Sequence, residues 1–542
     1  MNLKYLSAIG FLLLAILSTE TSSAAPSTGN ISVAFIMSQF QDENFQNGHD
    51  QDYFEDIAFN SSDSMWDYYD EVSEGMLNIE GHVFGPYTLD ENAANYSSGS
   101  KFVRESVLAA DNDIDYREYD AVIAIHSGPG AESSGQDDDI HSAFWSGLRI
   151  NTNDGDYQVR QVSQVPEYQL ANGEKNPLGV WCHEFGHELG LPDFYDTDYS
   201  SEGSGNWAVM AAGSWGNNGE TPVYFSAYSR SWLGWETPEI VTDDITNLVI
   251  EPVSEGGKSY KLPIPGNQPD SNEYFLIENR QQSNYDEYIP GEGLLIWHID
   301  ENILNSKWDS NTVNNDEDHK GMDLEEADGN DDLDDKTNRG DAGDPYRSGS
   351  FNKTTYPNSL AYNGSESGWK IDIEVDGDNI ILDISFLSKP YAFADADKVA
   401  ITEGESIQFN GNRSSDEDGI IVNYTWNFGD GKYNYTINPI HTFIQNGEYN
   451  VTLTVRDNHG LEHTYILKIY VNKPPIAGVV ISNTTIMLGE TITFDASNSY
   501  DLDGEIIEYL WNFDDGSPRS KEIVEVHTYT NSGIYQVSLQ LM

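Results

Sequence analysis

In the last third of the chain, apolar and polar residues alternate along several short segments. Residues 449–455, for example, carry tyrosine, valine and leucine at every second position, with asparagine and threonine between them. A two-residue period broken by frequent turn signals is typical of antiparallel β-strands. The run Trp-Asn-Phe occurs at positions 426 and 511, and the surrounding sequence repeats with it. We therefore predict that residues 389–472 and 473–542 are two copies of one small β-sandwich, the second of them C-terminally short.

The preceding part of the chain mixes helical and strand patterns. Residues 31–37 and 119–126 are apolar runs of strand length, and the second run ends at a Gly-Pro-Gly turn. Residues 53–76 and 97–110 show the spacing of amphipathic helices. The predicted divisions are a mixed α/β head over residues 26–240 and a β-rich, acid-rich continuation over residues 241–388.

The first 25 residues have the three regions of a secretory signal peptide. Lys4 supplies a positive charge, residues 6–17 form an uncharged apolar run, and small residues occupy positions 22–25. The apolar run is shorter than the ~20 residues that a spanning helix needs. We expect residues 1–25 to be removed and the mature chain to be secreted, without a transmembrane anchor. An uncleaved membrane anchor is the alternative.

The net charge of the chain limits the classes of molecule that it can bind. Aspartate and glutamate number 91 against 27 lysines and arginines, which gives a formal charge of −64 at pH 7. Such a chain repels phosphate backbones and anionic membrane surfaces, so we predict no nucleic acid partner. Its carboxylates favour hard divalent cations. The single cysteine, Cys182, rules out an intrachain disulfide.

The chemistry of the head is concentrated in one short motif. The spacing H-E-x-x-H puts His183 and His187 one turn apart on one helix face, where two imidazoles can bind one Zn²⁺. Glu184 is rotated about 100° around the helix and can reach a water molecule without binding the metal. Gly190 lets the chain leave the helix sharply, and Asp193 follows as a third ligand. The fourth position stays open, as in catalytic zinc sites. The alternative is a pair of ordinary core histidines.

Two further features frame this motif. Asn176 is predicted to cap the helix, with Pro177 at its first position. Downstream, Met210 lies in a glycine-bounded turn and is predicted to form a hydrophobic floor below the metal. Ordinary core filling is the alternative for a methionine.

The motif H-E-x-x-H-x-x-G-x-x-D, followed by the turn at Met210, resembles the metzincin metallopeptidases, with Asp193 where many of them carry histidine. Residues 31–387 more specifically resemble the immune inhibitor A (thuringilysin-like) family of secreted zinc metallopeptidases. The stretches that carry this resemblance include Tyr-Asp-Glu-Val-Ser-Glu-Gly at 69–75, His-Ser-Gly-Pro-Gly at 126–130, Ile-Glu-Asn-Arg at 277–280, Gly-Leu-Leu-Ile-Trp-His-Ile-Asp at 293–300 and Glu-Ala-Asp-Gly at 326–329. The resemblance implies an α/β (α+β) catalytic domain with zinc bound by His183, His187 and Asp193. It also implies Glu184 as general base and structural calcium.

The repeated tail resembles PKD (polycystic kidney disease) domains. The resemblance rests on the Trp-Asn-Phe-Gly-Asp-Gly run, the His-Thr-Phe/Tyr triplets at 441 and 527, and a Gly-x-Tyr-x-Val strand. It implies two immunoglobulin-like β-sandwiches that act as spacers or bind extracellular protein or polysaccharide. The fold class predicted for the whole chain is therefore multidomain, with a catalytic head, a β-rich extension and two β-sandwiches.

An acid-rich loop in the β-rich continuation is a second candidate metal region. Between Asp309 and Asp344 there are 14 acidic residues and 3 basic ones. Asp328, Asn330 and Asp332 have the alternating spacing of calcium ligands, although the glycine of an EF-hand loop is missing. The alternative is a solvated acidic loop.

Together these features predict a secreted zinc endopeptidase that hydrolyses extracellular polypeptides. In this scheme Glu184 moves the proton between water and the leaving amine. Tyr224 and Tyr228 are candidates for stabilising the oxyanion. Two other interpretations of the sequence remain open. One is an inactive adhesion or binding protein built on a peptidase-like head, and the other is a different zinc hydrolase, such as an exopeptidase.

Overall fold

The computed structural model describes residues 24–60, 62–170, 174–265, 268–416 and 419–542. The chain divides into two compact units, with the boundary between Phe386 and Leu387. Residues 1–23 of the predicted signal peptide lie outside the described residues. Ala25, its predicted last residue, is buried, and its N–H donates to the carbonyl of Glu188 at 2.8 Å. Over the described ranges, no helix combines the length and the apolar character needed to cross a bilayer.

The head is built around one mostly parallel sheet. Its region contains the strands β1 (Gly29–Gln39), β2 (Leu77–Thr88), β3 (Ala121–Pro129), β4 (Ala143–Trp145), β5 (Ile150–Asn151), β6 (Gln158–Val159), β7 (Val162–Leu170) and β8 (Glu174–Lys175). The order in the sheet is β2-β1-β3-β7-β4, and β8 pairs with β7. β1 is parallel to β2 and β3, and β3 is parallel to β7. β4 and β8 both run antiparallel to β7, and β4 lies at the end of the strand order, so it forms an edge of the sheet.

Helices cover both faces of this sheet. The α-helices of the first unit are α1 (Gln51–Glu55), α2 (Met65–Val72), α3 (Lys101–Ala110), α4 (Ala131–Ser134), α5 (Leu178–Glu188), α6 (Ala227–Trp232) and α7 (Glu301–Lys307). Val33 and Phe35 of β1 share one apolar cluster with α2 and α5, whereas Ala34 and Ile36 share another with α3. Because successive strand residues point to opposite faces, both faces of the sheet are buried.

The helix predicted over residues 53–76 is interrupted. α1 passes into a π-helical turn, Asp56–Asn60, before α2 begins with Ser64 as its cap. The Ser64 hydroxyl accepts a hydrogen bond from the N–H of Asp67 at 3.1 Å. A serine that satisfies a free N–H group starts a new helix, and the sequence pattern alone does not separate the two.

The β-rich continuation forms two antiparallel-rich sheets. Its strands are β9 (Glu239–Ile240), β10 (Ile245–Ile250), β11 (Tyr260–Pro263), β12 (Glu273–Arg280), β13 (Gly293–Asp300), β14 (Met322–Leu324), β15 (Gly349–Phe351), β16 (Trp369–Asp376) and β17 (Asn379–Phe386). The sheet orders are β14-β13-β12-β11-β9 and β10-β17-β16-β15. The sheets share an apolar core, while Leu276, Leu295 and Trp297 face the core of the head. The head and its continuation are therefore one compact unit.

The second unit consists of two similar sets of strands. The first set is β18 (Asp395–Ala396), β19 (Ala400–Thr402), β20 (Ser406–Asn410), β21 (Ile421–Asn427), β22 (Tyr433–Asn434), β23 (Ile440–Thr442), β24 (Gly447–Asp457) and β25 (Glu462–Asn472). The second set is β26 (Val480–Ile481), β27 (Thr491–Asp495), β28 (Tyr509–Asn512), β29 (Val524–Thr528) and β30 (Ser538–Leu541). Each set forms two sheets around a buried tryptophan, Trp426 or Trp511.

The repeated motifs of the tail have a structural role in both copies. In the first copy, the His441 ring stacks on Phe428 with centroids 3.9 Å apart, and its Nε2 lies 2.9 Å from the Asp430 carboxylate. In the second copy, His527 makes the same contacts with Phe513 and Asp515, at 4.1 and 2.8 Å. In each copy, these contacts hold the turn after the tryptophan strand, β21 or β28, against the strand that carries the histidine, β23 or β29.

Candidate active site

The motif histidines lie on α5, a helix without an exposed face. All its residues are buried, so it passes through the core of the head. The helix begins at Leu178, one residue later than predicted, and the Asn176 side chain accepts the Leu178 N–H at 3.1 Å. It ends at Glu188, and the chain turns at Gly190, whose φ is +102° and where a Cβ would lie 2.9 Å from the Trp232 ring. Glycine is therefore required at this turn for both conformation and space.

The turn at Gly190 brings a carboxylate back to the two imidazoles. Oδ1 of Asp193 lies 3.0 Å from Nε2 of His183 and 3.2 Å from Nε2 of His187. Each of the three residues is at most 9% exposed. Two nitrogens and one carboxylate oxygen that converge in this way are donors suited to Zn²⁺. Although burial opposes it, the neighbouring imidazoles lower the pKa of Asp193, so the carboxylate stays ionised.

The opposite ring nitrogens fix the orientation of both histidines. Nδ1 of His183 lies 2.8 Å from the carbonyl oxygen of Val209, and Nδ1 of His187 lies 2.8 Å from that of Leu191. A carbonyl can only accept, so each Nδ1 carries a proton, and each Nε2 is the ring atom that faces Asp193 and could bind a metal ion. Backbone acceptors of this kind hold metal-binding histidines in place.

Asn311, from a distant part of the chain, holds the carboxylate of Asp193, which is the third candidate ligand. Its Nδ2 donates to Oδ2 of Asp193 at 2.5 Å, and its Oδ1 accepts the Asp193 N–H at 2.7 Å. Oδ1 of Asp193 is thereby left to face the imidazoles. Sequence reasoning missed Asn311, because it lies 118 positions away in a loop without a recognisable motif.

We expect Asn311→Ala to weaken zinc binding by about 10- to 100-fold, since it frees the Asp193 carboxylate to rotate. Titration with a competing zinc chelator measures this change. Asn315→Ala is the matched control, because Asn315 lies in the same loop but accepts from Thr197 instead. Equal zinc affinities of the two variants would contradict the role assigned to Asn311.

Glu184 follows His183 on α5, and its side chain lines a cavity next to the candidate ligands. It is 5% exposed, and among the described residues its Oε2 has no hydrogen-bond partner. Burial raises its pKa to about 8, and the nearby His183 partly offsets this rise. Such a carboxyl group can hold or release a proton near neutral pH.

Met210 lies directly under the helix. A Cβ on Gly186 of α5 would lie 2.3 Å from its sulfur, so the thioether occupies the space that the glycine leaves open. Met210 is fully buried, and its carbonyl accepts the N–H of Phe194 at 2.8 Å. The turn thus supports both α5 and the segment that carries Asp193.

His183 and Glu184 line a cavity of about 500 Å³. Glu132, His141 and Ser142 lie on its wall, as do Ala211 and Trp215. The adjacent edge strand β4 reaches the same place, because its Phe144 ring stacks on His187 with centroids 5.8 Å apart. The site therefore combines a metal-binding constellation, a buried carboxyl group and a free strand edge.

The two tyrosines expected to stabilise the oxyanion do not line this cavity, so that expectation is corrected. The hydroxyl of Tyr224 donates to Glu71, and that of Tyr228 donates to Glu301 at 3.3 Å. Both rings are buried in the core of the head. Tyr195 lies on the cavity wall instead, with its ring 6.2 Å from that of His183.

The acid-rich loop gathers a different set of carboxylates from the one its spacing predicts. Asp328 lies with Asp341 and Asp344, and one oxygen from each falls within 4.8 Å of the others. Asn330 instead donates to Asp328, and Asp332 accepts from Asn338. The loop folds back on itself, so its middle, at Asp328, approaches its C-terminal end, whereas the alternate positions 328, 330 and 332 do not converge.

Asp344 is the buried member of this acidic cluster. It is 1% exposed, and its Oδ2 accepts from Nε1 of Trp207 at 3.0 Å, whereas its Oδ1 has no partner among the described residues. Burial and the charge of Asp344 raise the pKa of the adjacent Glu326 to about 8. An unpaired buried carboxylate oxygen among other carboxylates fits a bound Ca²⁺.

Known proteins are similar to parts of both the head and the tail. Residues 109–237 match the family described as immune inhibitor A peptidase M6, catalytic domain, and residues 388–471 and 472–542 match the PKD domain. Pre-pro-metalloprotease PrtV of Vibrio cholerae serotype O1 is 31% identical over 218 residues, covering 31% of this chain and 23% of that protein. Immune inhibitor A of Bacillus thuringiensis subsp. alesti is 29% identical over 237 residues, covering 33% of this chain and 34% of that protein.

A solved structure matches part of the tail. The crystal structure of the PKD1 domain from Vibrio cholerae metalloprotease PrtV is 36% identical and covers 16% of this chain and 98% of that domain, with a TM-score of 0.14. The chain spans only 23% and 34% of the lengths of the two curated relatives. The family resemblance and the fold class predicted from the sequence are confirmed. Residues 109–237 thus match the catalytic domain of the immune inhibitor A (M6) peptidases, and two matches to the PKD domain follow them in the chain.

Proposed function

We propose that this protein is a secreted zinc-dependent endopeptidase that hydrolyses extracellular proteins. The observation that carries the proposal is the convergence of His183, His187 and Asp193 beside Glu184 in an accessible cavity. The peptidase M6 match over residues 109–237 supports the same activity. An open metal position, a proton-transfer group and space for a substrate are the parts that metal-assisted peptide hydrolysis needs.

His183, His187 and Asp193 would hold the zinc ion. The fit rests on the donor set, two imidazole nitrogens and one carboxylate oxygen, and on the backbone acceptors that hold both rings. A bound zinc ion would supply Lewis-acid activation of a water molecule and of the scissile carbonyl group. Asp193 supplies one negative charge that a third histidine would not.

Glu184 moves the proton in this mechanism. Its carboxylate accepts a proton as water attacks the scissile carbonyl carbon, and it passes that proton to the amine of the departing chain. The peptide C–N bond breaks, which leaves a carboxyl group on one product and an amino group on the other. The Glu184 side chain lines the cavity, and its Oε2, which has no hydrogen-bond partner among the described residues, is available for the proton.

The edge strand β4 favours cleavage within chains rather than at their ends. Its free edge can pair with an extended polypeptide, which would then run past His187 on both sides of the scissile bond. The PKD domains are proposed to bind extracellular protein or polysaccharide, outside the hydrolytic reaction.

Casein hydrolysis with and without a zinc chelator tests the proposed activity. We expect internal cleavage that the chelator abolishes and added zinc restores. Release of terminal residues only would favour an exopeptidase. No hydrolysis by zinc-loaded protein would favour a binding protein that keeps a peptidase fold.

We further propose that Asp328, Asp341 and Asp344 bind Ca²⁺, which would hold the middle of the acid-rich loop against its C-terminal end. Saturating Ca²⁺ is expected to raise the Tm by about 5 °C or more, because it neutralises repulsion among the carboxylates. Asp344→Asn should lose this response in differential scanning calorimetry. Asp332→Asn, the control, should keep it, and an equal loss in both variants would contradict this assignment.

A further inference from the structure

Two cationic side chains line the cleft, although the protein as a whole is strongly acidic. Among the described residues of the cavity wall, Lys336 and Arg339 are the only lysine and arginine. Both come from the acid-rich loop, and the whole chain has just 27 such residues against 91 acidic ones. Cationic side chains that line a substrate-binding cavity attract negatively charged groups of a bound substrate.

Contacts with the segment after Asp193 hold both cations in place. Nζ of Lys336 donates to the carbonyl of Tyr199 at 2.6 Å, and Nε of Arg339 donates to Glu202 at 3.0 Å. The backbone is fixed as well, since the N–H of Glu202 donates to the carbonyl of Leu333 at 2.9 Å. The loop therefore presents its two cations from a defined position.

Arg339 keeps hydrogen-bonding capacity beyond this ion pair. Glu202 engages the Nε–H, and the Arg339 side chain remains 57% exposed. A guanidinium group has five N–H donors, and among the described residues Glu202 is its only acceptor. The remaining donors form the planar fork that matches a carboxylate.

Two acidic side chains of the same wall, Glu132 and Asp196, already accept hydrogen bonds from neighbouring serines. Glu132 accepts from the N–H and the hydroxyl of Ser142, at 3.1 and 2.7 Å. Asp196 accepts from the N–H of Ser201 and the hydroxyl of Ser200, both at 2.7 Å. These carboxylates hold the wall together, whereas Arg339 has donors to spare for a substrate.

The backbone at the contact between the two segments is unusual. Tyr199 and Lys336 both have positive φ values, +65° and +56°, which non-glycine residues rarely adopt. The two residues also contact each other through the Lys336 ammonium group. Such conformations cluster where the surrounding structure holds a functional surface in shape.

We propose that Arg339, assisted by Lys336, forms a subsite that binds the side-chain carboxylate of an aspartate or glutamate near the scissile bond. This inference rests on the proposed peptidase function and names a substrate feature that the cleft selects. Arg339 forms charge-assisted hydrogen bonds to the carboxylate, and Lys336 adds a second positive charge. The subsite also offsets, locally, the repulsion between an acidic enzyme and an acidic substrate.

Paired peptides test the subsite. Each pair differs by glutamate against glutamine at one position near the cleavage site, and the C termini are amidated so that only the side chain offers a carboxylate. At one position we expect the glutamate peptide to have a kcat/KM about tenfold higher, mainly through a lower KM. A ratio near one at every position overturns the subsite while leaving the peptidase proposal intact.

Substitutions in the acid-rich loop test whether Arg339 and Lys336 cause the preference for the glutamate peptide. Arg339→Gln should bring the ratio between the paired peptides close to one, and Lys336→Gln should lower it less. Arg347→Gln is the charge-matched control, because Arg347 pairs with Glu292 and does not line the cavity. An unchanged ratio in both Arg339→Gln and Lys336→Gln overturns the inference. Wild-type protein that cleaves neither peptide overturns both the subsite and the proposed function.

Discussion

Replacing Glu184 by glutamine is expected to lower kcat/KM for peptide hydrolysis by about 10²- to 10⁴-fold while leaving zinc bound. The amide has nearly the size of the carboxyl group, so α5 and the ligands on it stay in place. It cannot accept a proton from the attacking water, however, and therefore cannot deliver one to the departing amine. Steady-state kinetics on an internally quenched peptide, with zinc content measured on the same samples, checks both parts of this expectation.

Glu188 provides a closely matched control on the same helix. It too is buried, its pKa is raised to about 8, and it has an oxygen without a partner among the described residues. Its Oε1 accepts from Ser163, and it does not line the cavity. Glu188→Gln should therefore retain activity. Similar losses in the two variants would mean that Glu184 acts through packing and not through proton transfer.

Removing the third ligand is expected to have the second largest effect. Asp193→Ala leaves two imidazoles without their carboxylate partner, and zinc affinity should fall by at least about 100-fold. Hydrolysis at low zinc concentration should fall with it. Zinc content after dialysis against a weak chelator measures the change.

Asp198→Ala is the control for this ligand variant. Asp198 belongs to the same segment, but its carboxylate accepts the N–H of Ser200. It should keep both zinc and activity. Retention of zinc by Asp193→Ala would contradict the ligand set proposed for this site.

Local sequence patterns predicted the part of the site that lies on one helix and its exit. The i, i+4 spacing of His183 and His187 and the glycine at 190 are local features with a direct geometric meaning. The alternating strands and the repeated motifs likewise predicted the two β-sandwiches of the tail, in agreement with the PKD matches.

Contacts between residues that are far apart in the chain could not be predicted from the sequence alone. Asn311 reaches Asp193 across 118 positions, and no spacing rule connects the two. The acid-rich loop shows the same limit, because Asp328 meets Asp341 and Asp344 only when the loop closes. The cations at 336 and 339 reach the cleft for the same reason, since a loop's path depends on tertiary packing.

Anomalous diffraction at the zinc absorption edge, from crystals of the purified protein, would locate the metal ion directly. We expect one strong peak bonded to His183, His187 and Asp193, with Glu184 beside it and not among its ligands. A peak at another place, or no peak between these three side chains in active protein, would rule out the proposed zinc site.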